Sequence, residues 1–348
     1  GEAGTLNITN GGQLAVAFTT DNISDASVRI GQAGTGHLTV EPGGSLTART
    51  LSLAGEASSS LTLGGAAGGN ATVTIEFGAT FGRQVRVIGP NVDFSALTLT
   101  IQAQNTLISQ ITAATHSPLK STNLASIDGT LRVEFSNGVV PAVGNSWNLI
   151  DAPAISGQFA SIDLSAAPAL PFGQVYQFDT VADATSSHGF FGRLSVDQLL
   201  VLNVDRDSGA MSIATGPVPV SIDAYSISSA LGGLNPSGWS SLQNQGVSDW
   251  HESPQGGSIH RLSELKPTDS TAVTSAASFG LGNVFQLPSA TEFGTELEDL
   301  IFEYCTPGGQ VTQGLINYVG DKQYNNLVLL VDPDIGAARL ENQSNLSV

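Results

Sequence analysis

Cysteine is almost absent from this chain: Cys305 is the only one in 348 residues. No disulfide therefore forms within the chain, and no cysteine-based metal cluster is available. A lone cysteine in an apolar strand such as Ile301-Phe-Glu-Tyr-Cys305 reads as a small buried hydrophobe. Cations are scarce too, with 12 Lys and Arg against 30 Asp and Glu and a formal net charge of −18. That balance argues against nucleic acid, whose phosphates require clustered Lys and Arg, and against anionic membrane surfaces. No apolar run approaches the roughly 18 residues of a transmembrane helix, so membrane insertion by a helix is not expected. The five histidines, His37, His116, His188, His251 and His260, show no metal-ligand spacing. His251-Glu252 lacks the second histidine of a zinc-protease helix, and no Gly-x-Ser-x-Gly elbow anchors a hydrolase triad.

These absences favour a non-enzymatic protein. A polysaccharide lyase or hydrolase is the enzymatic alternative, because paired carboxylates are recognisable only in space. There is also no initiator Met. Gly1-Glu2-Ala3-Gly4 opens directly in a repeat pattern, which reads as a chain whose export signal has been removed. An extracellular or cell-surface location follows as the expectation.

What the chain does have is 40 glycines and abundant Ser, Thr and Asn between short apolar alternations. Such a composition favours many short strands and turns over helices. Leu6-x-Ile8-x-x-Gly11-Gly12-x-Leu14 recurs as Leu38-x-Val40-x-x-Gly43-Gly44-x-Leu46, then more weakly as Val73-x-Ile75-x-x-Gly78-x-x-Phe81. Ser27–Ile30 and Thr50–Leu53 are further strand-like pieces between the repeats. Three short strands with glycine corners make one rung of a right-handed β-solenoid, or β-helix, whose inward Leu, Val and Ile are buried only when rungs stack. The stretch GTGHLTVEPGGSLTARTLSLAG resembles the autotransporter-associated β-strand repeat of large exported bacterial surface proteins. That resemblance implies a solenoid stalk over about the first quarter of the chain. From about residue 85 the period fades, though Leu97–Ile101 and Leu131–Phe135 still alternate. Gly129 to Ser161 is similar to the capping stretch that closes such passenger regions. Asn105–Ala114 is the one helical candidate.

From Leu199 the strands lengthen. Leu199–Val204 and Met211–Ile213 flank Asp205-Arg-Asp-Ser-Gly209, which reads as a β-hairpin. Val220–Ile227, Ser278–Leu287, Asp299–Tyr304 and Gln310–Tyr318 follow as strands of a β-sandwich. Its order, with Ser237-Gly238-Trp239 in a loop, resembles lamin-tail-type sandwich modules, and that resemblance implies a fold, not an activity. The expected fold class is therefore all-β. Residues 1–198 form the solenoid with its irregular cap, 199–325 the sandwich, and 326–348 a terminal strand pair.

The terminal pair is the most informative stretch. Val204-Asp205-x-Asp207-x-Gly209-Ala210 returns as Val331-Asp332-x-Asp334-x-Gly336-Ala337, 127 residues later. The first copy opens a sandwich, and the second should be able to open another. Three readings compete: a remnant of a tandem array, a strand pair docked on its own domain, or strand addition to a neighbouring copy. Asp205, Asp207, Asp332 and Asp334 are the candidate metal ligands, with Ca²⁺ the cation they would take. They lack the third oxygen and the later bidentate Glu of a calcium loop, so hairpin turns are the preferred reading. Tyr225, Trp239 and Trp250 are either the sugar-stacking aromatics of a glycan-binding adhesin or buried aromatics of the sandwich. The expected function is that of a subunit of an extracellular fibre or envelope layer, with copies of itself as head-to-tail partners and surface polysaccharide as a second partner.

Overall fold

A computed structural model describes residues 3–16, 26–65, 68–322, 325–344 and 346. Gly1 and Glu2 of the opening, and Asn345, Ser347 and Val348 of the terminal pair, lie outside the described residues. The chain is all-β, and the single helical element among the described residues is the 3₁₀ turn Pro236–Gly238. It divides into two units, Gly1–Leu170 with Tyr176–Asp197, and Pro171–Val175 with Gln198–Val348.

In the first unit the chain alternates between two sheets. One contains, in order, Ala3–Ile8, Thr35–Val40, Ser60–Gly64, Gln84–Ile88, Thr106–Ile111, Thr130–Phe135 and Ser161–Asp163, every pair parallel. The other stacks Gln13–Ala15, Ser45–Ala48, Ala71–Phe81, Val92–Ile101, Leu119–Ile127 and Ser146–Ala152. The antiparallel strand Phe190–Gln198, followed by Gln174–Ala182, covers the last parallel edge. Two long strands, Ala71–Phe81 and Leu119–Ile127, each pair with two shorter segments on one side. Ala71–Phe81 pairs with Ser45–Ala48 through its first half and with Thr50–Leu53 through its second, and a register shift between Ala96 and Thr98 marks the same bend one strand on.

The alternation explains the register. Leu38 and Val40, Leu61 and Leu63, Val85 and Val87, and Leu131 and Val133 are all buried, because side chains two residues apart share a face. Leu6 lies opposite Leu38 and Leu14 opposite Leu46, as the sequence repeat implies. The third copy is out of step: Leu38 next faces Leu61, whereas Val73 faces Leu46. The counterpart of Leu38-x-Val40 is thus Leu61-x-Leu63. Ala15 pairs with Thr47 and Ser27 with Thr50, so the extra length of the first turn falls between Ala15 and Ser27. Nothing requires a constant period when only the inward residues must match. The helical candidate Asn105–Ala114 is likewise corrected. Thr106–Ile111 is a strand with a parallel partner on each side, and this pairing overrides a weak local preference.

His116 is buried in this unit, its Nε2 facing the Val87 carbonyl at 3.4 Å. Burial lowers its pKa from 6.5 to about 4. Between those values the unfolded chain binds a proton that the folded chain refuses, so stability falls as pH drops through the window. The expected loss by pH 4 is about 3 kcal/mol relative to pH 7. Urea unfolding of the first unit at the two pH values checks it, and His116→Gln should flatten the dependence.

The second unit places its core between a four-stranded sheet, Phe279–Asn283, Ala210–Ala214, Val201–Asp205 and Leu315–Val319, and a five-stranded one, His251–Ser258, Arg261–Leu265, Ala224–Ser229, Leu300–Thr306 and Gln310–Gln313. Two expected strands are each divided. Val220–Ile227 breaks at Asp223, whose N–H turns to the Cys305 carbonyl. Gln310–Tyr318 breaks at Gly314, where the chain leaves the five-stranded sheet for the four-stranded one. A Cβ at Gly314 would lie 2.3 Å from the Phe302 ring, so this passage needs glycine. Cys305 is half-buried, and burial, then Asp223 and Glu303, push its thiol pKa up.

Candidate functional site: the terminal hairpin

The first hairpin is Val201–Asp205 with Ala210–Ala214, Val204 opposite Met211. Its loop is built by Asp205, whose Oδ1 accepts the N–H of Asp207 at 2.9 Å and of Ser208 at 3.3 Å. The Asp207 and Ser208 donors hold the Asp205 carboxyl below its usual range. Gly209 closes the turn at φ 74°, donating to the Asp205 carbonyl at 2.8 Å. Both flanks are paired, with Leu315–Val319 parallel on one side and Phe279–Asn283 antiparallel on the other.

The terminal hairpin repeats this arrangement residue for residue. Leu327–Val331 pairs with Ala338–Asn342, and Val331 lies opposite Ala338, each 127 positions beyond Val204 and Met211. Asp332 Oδ1 accepts from Asp334 at 2.9 Å and from Ile335 at 3.4 Å. Gly336, at φ 67°, donates to the Asp332 carbonyl at 2.9 Å. What differs is the surroundings. This hairpin is a two-stranded sheet by itself. Leu202, Val204 and Ile213 are wholly buried, while their counterparts Leu329, Val331 and Leu340 are 63%, 60% and 60% exposed.

One substitution made at both positions separates shared turn chemistry from unshared packing. Gly209→Ala would place a Cβ 2.4 Å from the Phe285 carbonyl oxygen, whereas Gly336→Ala meets nothing within 4 Å. Both variants lose about 1 kcal/mol to the left-handed backbone, and Gly209→Ala about 2 kcal/mol more. The loss at Gly336 falls on a hairpin that is a sheet by itself, so thermal unfolding of the second unit's core should shift for Gly209→Ala and barely for Gly336→Ala.

The four aspartates make turns. Asp205 and Asp332 are occupied by backbone donors, and Asp207 Oδ1 accepts the Asp321 N–H at 3.2 Å. No group of three or more His, Cys, Asp or Glu among the described residues gathers in a way that could hold a metal. Of the two readings of the aromatics, burial removes the sugar-stacking one for Tyr225 and Trp250. Tyr225 and Trp250 are core residues, 2% and 1% exposed, with ring centroids 5.9 Å apart. Trp250 Nε1 donates to Thr271 Oγ1 at 2.9 Å. Trp239 is half-buried against the same core. Alternation marks such residues as apolar without saying which sheet face is inside.

Sequence reasoning missed one constellation, in which Asp151 gathers Ser186, Ser187 and His188 from 35 or more positions away. The Ser186 and Ser187 hydroxyls donate to its carboxylate at 2.6 Å, and His188 Nδ1 lies 3.3 Å from it. Burial alone would raise the Asp151 pKa, but the two hydroxyls and His188 outweigh it and lower it. Ser187 also contacts Nδ1, at 3.0 Å. A nucleophilic triad needs serine on one ring nitrogen and carboxylate on the other, so this cluster secures a loop. The adjacent tripeptide Ser-Ser-His was the only sequence signal. A cleft of about 500 Å³ runs along Gly4–Leu6 and Val28–Leu38, and no carboxylate is among the described residues that line it. Compared with known protein families, curated proteins and solved structures, the chain has no significant match.

Proposed function

We propose that this is a non-enzymatic extracellular structural protein, a building block of a cell-surface fibre or envelope layer in which copies join head to tail by strand addition. The observation that carries the reading is the terminal hairpin, a formed strand pair whose sheet stops at two strands and whose apolar residues are bare. Exposed apolar strand edges recruit further strands, and a heterologous contact that does not close on itself gives a fibre. The parallel stacking of the first unit supports a β-solenoid stalk of the kind that autotransporter-associated repeats build. The shared core of the four- and five-stranded sheets supports a β-sandwich after it, similar to lamin-tail modules. The scarcity of Lys and Arg suits the cell exterior.

Electron microscopy of the purified chain with and without Asn326–Val348 tests the proposal. End-to-end assemblies are expected from the intact chain and monomers from the shortened one. Assemblies unchanged by the deletion would remove the hairpin's role, and cleavage of a polysaccharide by the pure protein would overturn the non-enzymatic reading.

A further inference from the structure

We infer that the terminal hairpin is the opening hairpin of a sandwich of the second unit's fold, and that its partner is such a sandwich with that slot open. This rests on the strand-addition reading and names the surface to which the strands add. The matching register says what the bare face fits. In the first copy Leu202, Val204, Met211 and Ile213 are covered by Tyr225, Ile227, Phe302 and their neighbours in one core, and the two strands lie between Leu315–Val319 and Phe279–Asn283. A hairpin with the same loop bonds and with apolar residues at the same positions, Ala338 standing where Met211 stands, fits the same cover.

The slot in its own unit is closed to it for two reasons. The slot already holds Val201–Ala214, fastened by Arg206, whose guanidinium pairs with Glu298 at 2.5 Å and lies over the Tyr318 ring. In addition, Leu327–Val331 would have to run parallel to Leu315–Val319 after a connection of seven residues, and parallel neighbours need a crossover of about a dozen or more. An unmodified copy of the chain presents the slot only when its own first hairpin withdraws. Assembly between copies is then slow, paced by local opening, while an open-slot sandwich is completed without that step.

Two of the differences between the terminal hairpin and the first remove an attachment. Leu330 replaces Asn203, which accepts from Asn317 at 2.9 Å, and Pro333 replaces Arg206, whose N–H donates to the Val319 carbonyl at 3.0 Å. In a slot identical to this one the terminal hairpin therefore lacks those two attachments, and restoring them should tighten the fit.

The experiment appends a second copy of Ile222–Asn325 directly after Val348, the residue equivalent to Ser221, and follows hydrogen exchange by mass spectrometry. In the unmodified chain the amides of Leu327–Val331 and Ala338–Asn342 should exchange fast, since an isolated two-stranded hairpin is marginal. In the extended chain they should slow by about 100-fold or more, toward the rates of Val201–Asp205 and Ala210–Ala214 in the same molecule. Leu330→Asn with Pro333→Arg should slow them by about a further tenfold, and Leu329→Asp with Leu340→Asp should abolish the protection. The separately produced Ile222–Asn325 polypeptide, added to the unmodified chain, gives the same reading if the extended chain does not fold. Fast exchange in both formats, or protection that survives the two aspartates, overturns the inference. Hairpin-dependent fibres without protection would leave strand addition standing and remove the slot. Protection without fibres would do the reverse.

Discussion

Replacing Glu264 by alanine should destabilise the second unit by about 4 kcal/mol, the largest effect of any polar substitution considered for this chain. Glu264 is 1% exposed. Its carboxylate accepts the Tyr225 hydroxyl and the backbone N–H groups of Leu242 and Gln243, the last two at 2.8 Å. Removing it strands two buried donors, each costing about 1–3 kcal/mol, and the part-buried Gln243 N–H, partly relieved by relaxation. Burial first, and Glu264 second, push the Tyr225 hydroxyl pKa upward, so this group stays a donor and cannot relieve the loss by ionising. Glu264→Gln retains one acceptor oxygen and should lose about half as much. Urea unfolding in a Trp147→Phe background, where Trp239 and Trp250 of the second unit alone report, measures both. A loss under about 1 kcal/mol for Glu264→Ala would show that water replaces the carboxylate.

Phe94→Ala should cost the first unit about 4 kcal/mol, within the range for emptying a buried aromatic position. Phe94 is wholly buried, its ring centroid 5.9 Å from that of Phe81. Its strand neighbours are Val73 on one side and Leu119 on the other. In a parallel stack each layer rests mainly on the two beside it. Faster hydrogen exchange is therefore expected in Ala71–Phe81 and Leu119–Ile127, fading at Ser45–Ala48. As a contrast, Phe77 is 45% exposed with Arg49 4.3 Å from its ring centre, and Phe77→Ala should cost about 1 kcal/mol or less. Uniform loosening of the whole unit would contradict this local picture.

How much of this was legible beforehand depended on sequence distance. Leu6 and Leu38, or Gly209 and Gly336, announce themselves because neighbouring residues repeat with them, and strand type follows from alternation within a few positions. The third repeat failed because Val73-x-Ile75 and Leu38-x-Val40 read alike although they lie in different sheets, Val73 opposite Leu46 and Leu38 opposite Leu61. Glu264 was invisible: its partners lie 21, 22 and 39 residues away, and nothing local marks it as buried. Tyr225 and Trp250 stay open in the sequence, between a sugar-stacking face and the sandwich core, for the converse reason. Strand alternation carries no label for inside until the opposing sheet is known. The terminal hairpin was legible because its signal is a comparison of two stretches of one chain, and what such a comparison cannot supply is the packing around either.

The pairing of Val201 with Leu315 also orders events in time. Parallel neighbours in the first unit are a few dozen residues apart at most, so each strand can settle soon after it leaves the ribosome. Val201–Asp205 must wait for a strand beginning 114 residues later, and non-local closure of this kind is slow. Throughout that interval Leu202, Val204 and Ile213 lack part of the cover they have in the folded unit. A chaperone that binds exposed apolar hairpins during synthesis would thus meet in the first hairpin the kind of surface that Leu329, Val331 and Leu340 present in the folded chain.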